Sequence, residues 1–78
     1  MLTALMPATL LHRRRLGDAI RARRKEREFS QERLAERAEL STVFISRVEC
    51  GKESPSLDSL VKIARALGVR VRDLVNEV

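Results

Sequence analysis

The sequence predicts an all-α fold of five short helices separated by very small gaps. Three observations lead to that class. Aromatic residues are confined to Phe29 and Phe44, with no Trp and no Tyr, while Leu, Ala, Arg and Glu abound, a mixture that favours helix over strand. Leu57, Leu60, Val61, Ala64 and Leu67 recur at i, i+3, i+4, i+7 and i+10, the spacing of one helix face. Ser30, Ser41 and Ser56 each precede a helical stretch as natural N-caps, and Gly51 and Gly68 stand where two of those stretches stop. A chain of 78 residues has room for one domain, whose core is marginal unless its helices pack well or it self-associates.

The start, MLTALMPATLLH, is mildly apolar but has no basic segment ahead of its apolar run, is interrupted by Pro7 and is too short to span a bilayer. Residues 1–13 are therefore expected to be a flexible arm and residues 14–78 the folded domain, with Met6 an alternative start. The first helix is expected from Leu16, or as early as Leu11, to Glu28, with Leu16, Ala19, Ile20 and Arg23 on one face. Ser30 opens a second helix with Leu34, Ala35 and Ala38 buried, and Ser41 opens a third that ends at Gly51. Ser56 opens the fourth. The last begins near Val71 and carries Val71, Leu74, Val75 and Val78. None of the three serine caps has Glu or Gln at N3, so no capping box supports these starts.

Sixteen Lys and Arg against eleven Asp and Glu leave a formal charge of +5. The excess is concentrated between His12 and Lys25, where Arg13, Arg14, Arg15, Arg21, Arg23, Arg24 and Lys25 face only Asp18. Such a cluster suits a polyanion, nucleic acid or a lipid surface, or is a solvated helix face. The lipid reading is weak because the apolar face of that helix is needed for the core. The single cysteine, Cys50, has no internal disulfide partner, and His12, the single histidine, does not build a usual metal site with it. The expectation is a cytoplasmic protein with no metal and no cofactor. No glycine-rich phosphate loop and no Cys/His arrangement suggests catalysis, so an enzyme is not expected.

The segment STVFISRVECG, residues 41–51, carries the functional signal. With Ile45 pointing inward at 100° per residue, Val48 and Ser41 fall on the same side, Val43 and Arg47 point almost directly out, and Phe44 and Ser46 occupy the two shoulders. Two short helices with a break of about three residues make a helix-turn-helix, whose second helix enters the DNA major groove. Arginine donates two hydrogen bonds to a guanine edge and apolar side chains pack on thymine methyls, so Arg47, Val43 and Phe44 form a candidate reading set.

Residues 16–69, about two thirds of the chain, resemble the lambda-repressor-like (XRE) helix-turn-helix family of phage and bacterial regulators. SQERLA, ISRVE, GK, PSL and LxxIARALGV occur together, in order and at the family's spacing. The resemblance implies a compact five-helix domain that binds DNA as a two-fold dimer, and the chain is similar in length to restriction-modification controller proteins. It implies base contacts from Thr42, Val43, Phe44, Ser46 and Arg47, backbone contacts from Arg24, Gln31 and Lys52, and an Arg24–Glu49 pair between the first and third helices. Taken as residues alone, Arg24 and Glu49 read equally as an exposed surface pair, and Phe44 as core edge or dimer contact. Two positions depart from the family pattern. Glu39 stands where glycine is usual in the turn, and Cys50 where a polar or basic residue is common. Val71, Leu74, Val75 and Val78 offer more apolar surface than docking the last helix needs, so they are expected at a homodimer contact. The functional expectation is a dimeric transcriptional regulator on a palindromic operator of double-stranded DNA. The competing class is an antitoxin, which grips a protein toxin and autorepresses its operon; only Met1 to Arg15 is left over to build the toxin-binding surface.

Overall fold

The computed structural model describes residues 8–76 and 78, and holds α1 (Ala8–Glu26), α2 (Gln31–Ala38), α3 (Thr42–Glu49), α4 (Leu57–Leu67) and α5 (Val71–Val75), with no strand among the described residues. Residues 8–13, expected in the arm, instead form the opening turns of α1, while Met1–Pro7 lie outside the described residues. Leu10 and Leu11 are good helix formers. His12 adds a tether: its Nδ1 lies 2.8 Å from the Val78 carbonyl oxygen, so an N–H there donates across from α1 to the far end of the chain.

The local rules act at both ends of the helices. The hydroxyls of Ser30, Ser41 and Ser56 accept from the backbone N–H of Arg33, Phe44 and Ser59 at 2.9, 3.0 and 3.1 Å. Ser41 is consequently exposed and extended just outside α3, not on its inner side as the helical projection put it. In α5 the Asp73 carboxylate accepts from the Arg70 N–H at 2.9 Å. Four of the helices end alike. The N–H groups of Phe29, Leu40, Lys52 and Val69 bond carbonyls five residues back, and those of Glu28, Glu39, Gly51 and Gly68 bond carbonyls three back. This Schellman closure requires a left-handed residue. Glu28 and Glu39 supply it at φ 57°, Gly51 and Gly68 at φ 73°. The first helix therefore stops at Glu26, two residues short of the expected end.

The core gathers Ile20 of α1, Leu34, Ala35 and Ala38 of α2, Ile45 and Val48 of α3, Leu60, Ile63, Ala64 and Leu67 of α4, and Leu74 of α5. Each of the larger side chains contributes about 1.5–3 kcal/mol by leaving water. α2 packs on α3 and α4, and α1 on α3 and α5, so α3 is backed on two sides. In α4 the buried stripe starts one turn later than expected: Leu57 is 70% exposed, and Ile63 is fully enclosed. Leu74 is 1% exposed within its own chain. A side chain already enclosed has no surface left for a second copy, which removes Leu74 from the expected dimer contact. Val75 is exposed, and Val71 and Val78 are half-buried. No helix among the described residues is long and apolar enough to cross a membrane, and no cluster of three His, Cys, Asp or Glu is gathered there to hold a metal.

Candidate nucleic-acid interface

The two sides of α3 differ sharply. Ile45, Val48 and Glu49 are buried against the body of the protein. Val43 is 69% exposed, and Arg47 stands beside it in solvent. Thr42 and Ser46 are half-buried on the flanks. Phe44 is half-buried and packs against the core, so it helps to seat the helix and offers a ligand only part of its surface. Scattered exposed apolar residues are ordinary, but Val43 sits next to an arginine on a helix that is otherwise fixed from behind.

What fixes it is a buried polar knot. Arg24 donates from Nε to Glu49 Oε2 at 2.7 Å, from Nη2 to Glu49 Oε1 at 3.0 Å and from Nη1 to the Phe29 carbonyl at 2.8 Å. Gln31 Nε2 donates to Glu49 Oε1 at 3.0 Å. Arg24 and Glu49 are 9% and 5% exposed, so they are an enclosed bidentate pair and not a surface one. The inward line of α1 is Gly17, Ile20 and Arg24, with Arg23 turned partly to solvent. Every enclosed side-chain nitrogen and oxygen among the described residues has a hydrogen-bond partner. Gly17 lets α1 approach the end of α3 closely: a Cβ there would lie 2.5 Å from the Val48 carbonyl oxygen and 2.7 Å from that of Glu49.

The surroundings of α3 carry further charge. Lys52 is exposed in the loop after Gly51. Arg14 and Arg21 of α1 border a cleft beside the exposed Cys50 at the C-terminal end of α3. Glu53, which the sequence did not single out, accepts from Arg47 Nε at 3.0 Å. The signal for it was the left-handed Gly51, which turns the chain back so that a residue six positions on meets Arg47. At the turn between α1 and α2, the guanidinium groups of Arg27 and Arg37 both lie over the Phe29 ring, 5.4 and 5.3 Å from its centre.

The chain matches the helix-turn-helix family HTH_3 over residues 20–74. It is 42% identical over 62 residues to the immunity repressor protein of Bacillus phage phi105, covering 80% of this chain and 43% of that protein. It is 45% identical over 47 residues to the control protein C.BamHI of Bacillus amyloliquefaciens, covering 60% of this chain and 58% of that protein. The chain thus spans about half the length of these two relatives. Among solved structures, the restriction-modification controller protein C.AhdI from Aeromonas hydrophila superposes with a TM-score of 0.78 and 32% identity over 80% of this chain and 94% of that one. The clp gene regulator ClgR from Corynebacterium glutamicum gives 0.81 and 31% over 91% and 72%. Fold and braced third helix together define a helix-turn-helix domain. The chain belongs to the helix-turn-helix family HTH_3, whose members are DNA-binding transcriptional regulators.

Proposed function

We propose that this chain regulates transcription by seating α3 in the major groove of a specific double-stranded DNA site, as a homodimer on a two-fold operator. The observation that carries this reading is the exposed pair Val43 and Arg47 on a helix locked from behind by Ile45, Val48 and the Arg24–Glu49–Gln31 knot. A valine in water gains nothing from exposure but fits a thymine methyl, and an arginine fork matches the O6 and N7 of guanine. Thr42 and Ser46 flank the same face, with the exposed part of Phe44 beside them. Gln31 and Lys52 serve as backbone contacts that set the register, together with the N–H groups of Arg24 not used by Glu49 and Phe29. A dimer formed through Val75 and Val78, with Val71 at its margin, presents two such helices about 34 Å apart, one turn of the duplex.

Within this reading the controller type of regulator has the firmest support, because C.AhdI is matched over nearly its whole length. Such a protein works in the cytoplasm, where its DNA is. The test is in vitro selection of bound DNA followed by footprinting, repeated with Arg47→Ala and Val43→Ser. Arg47→Ala should cost about 1–3 kcal/mol on the selected site and relax one base pair per half-site, and Val43→Ser should weaken a thymine preference. Folded variants with the parent's base preferences at every position would sink the proposal that α3 reads sequence.

A further inference from the structure

We infer that Glu53 is a positioning residue for Arg47, holding one edge of its guanidinium so that the other faces a guanine. The inference rests on the DNA reading above. Arg47 uses Nε for the 3.0 Å bond to Glu53 Oε1, and among the described residues neither terminal nitrogen makes a hydrogen bond. Those two nitrogens are the pair that fork onto the O6 and N7 of guanine, whereas Nε is dispensable in that contact. An arginine on a groove-facing helix otherwise samples many rotamers, among them ones that reach phosphate oxygens of any sequence. Glu53 removes those options by fixing the guanidinium from behind.

The pair is not there for stability. Its side chains are 49% and 40% exposed, and ion pairs so open to water contribute little. Nor does Glu53 help affinity, since a carboxylate beside the duplex is repelled by the phosphates within a Debye length of about 8 Å. In a chain of formal charge +5 that carries 16 Lys and Arg, an acidic residue next to the reading arginine lowers binding to all DNA alike. What it gains is discrimination: the fork is rewarded only by a base with two acceptors in line. The route of the chain makes this possible, because Gly51 at φ 73° reverses direction directly after α3 and returns position 53 to the outward face of the helix.

The test measures binding of the full chain, by fluorescence anisotropy at fixed salt, to the selected operator, to operators with the Arg47-dependent guanine replaced, and to random DNA. The proteins are the parent, Glu53→Ala, Glu53→Gln and Arg47→Ala, each checked for fold by circular dichroism. Glu53→Ala should bind random DNA more tightly and lose about 3- to 10-fold of its guanine preference, part of the roughly 5- to 150-fold that a bidentate arginine–guanine pair supplies. Glu53→Gln should restore the preference, since its amide oxygen still accepts from Nε, while keeping the gain on random DNA. A merely structural role would not separate these two variants. Guanine preference unchanged in Glu53→Ala overturns the inference, and preference that rises shows Glu53 to be a competitor for Arg47 instead of a support. Should Arg47→Ala leave the parent's preferences intact, the base-reading assignment fails first and the inference with it; loss in Arg47→Ala without loss in Glu53→Ala removes only the inference.

Discussion

Replacing Glu49 by alanine removes the carboxylate on which three N–H groups converge. Arg24, 9% exposed, would keep its bond to the Phe29 carbonyl but lose both contacts to Glu49, and Gln31 Nε2 would lose its acceptor. Breaking an enclosed ion pair by deleting one partner costs about 3–5 kcal/mol because the other charge is stranded. A domain of 78 residues has a total stability of about 4–12 kcal/mol at roughly 0.05–0.15 kcal/mol per residue. The substitution therefore removes on the order of half of it, and the melting temperature should fall by about 12–40 °C at roughly 4–8 °C per kcal/mol. Urea titration followed by circular dichroism, at one protein concentration so that association is constant, measures the loss. The double variant Arg24→Met/Glu49→Leu should be more stable than either single variant, since it strands no charge and fills the same space. A loss below about 1 kcal/mol for Glu49→Ala would put the pair in the exposed class and refute the knot as the brace of α3, and so would strictly additive single variants.

Other outcomes follow from other features of the fold. Gly17→Ala gains up to about 1 kcal/mol in helix propensity but drives a methyl into backbone oxygens at 2.5 and 2.7 Å, and overpacking of about 1–3 kcal/mol should dominate; a higher melting temperature would contradict the close crossing of α1 and α3. Glu39→Gly relieves a left-handed residue at φ 57° and should stabilise by about 0.5–1 kcal/mol net of the added freedom of the unfolded chain, read by urea titration. Lys52→Ala should weaken operator and random DNA alike and reduce the log–log salt slope by about 0.9, whereas a change confined to the operator would make Lys52 a reader of bases. Val75→Asp should raise the dimer dissociation constant in sedimentation equilibrium with little change in monomer fold, since Val75 is exposed; an unchanged dimer would move the contact elsewhere.

Wherever a rule depends on neighbours within one helix turn, residue order alone determined the structure. Ser30, Ser41 and Ser56 cap their helices because a short hydroxyl side chain reaches the N3 amide in any surroundings. Val43 and Arg47 point away from Ile45 and Val48 because 100° per residue leaves them nowhere else to go. Features that depend on what arrives from a distant part of the chain were decided only by tertiary packing. Glu28 carries no mark of left-handed backbone, and Glu39 is marked only by standing where the family has glycine; both are held there because α2 and α3 must turn back onto the core within a few residues. Leu57 and Ile63 both belong to an apolar α4, and which of them is buried depends on where α2 crosses it. The same holds for Leu74, which α1 and α4 enclose, and for Arg24, whose charge is tolerable inside because α3 delivers Glu49 to meet it. Glu53 beside Arg47 stands between the two groups: five residues lie between them, Gly51 marks a turn in the sequence, and the reversal there closes the distance to 3.0 Å.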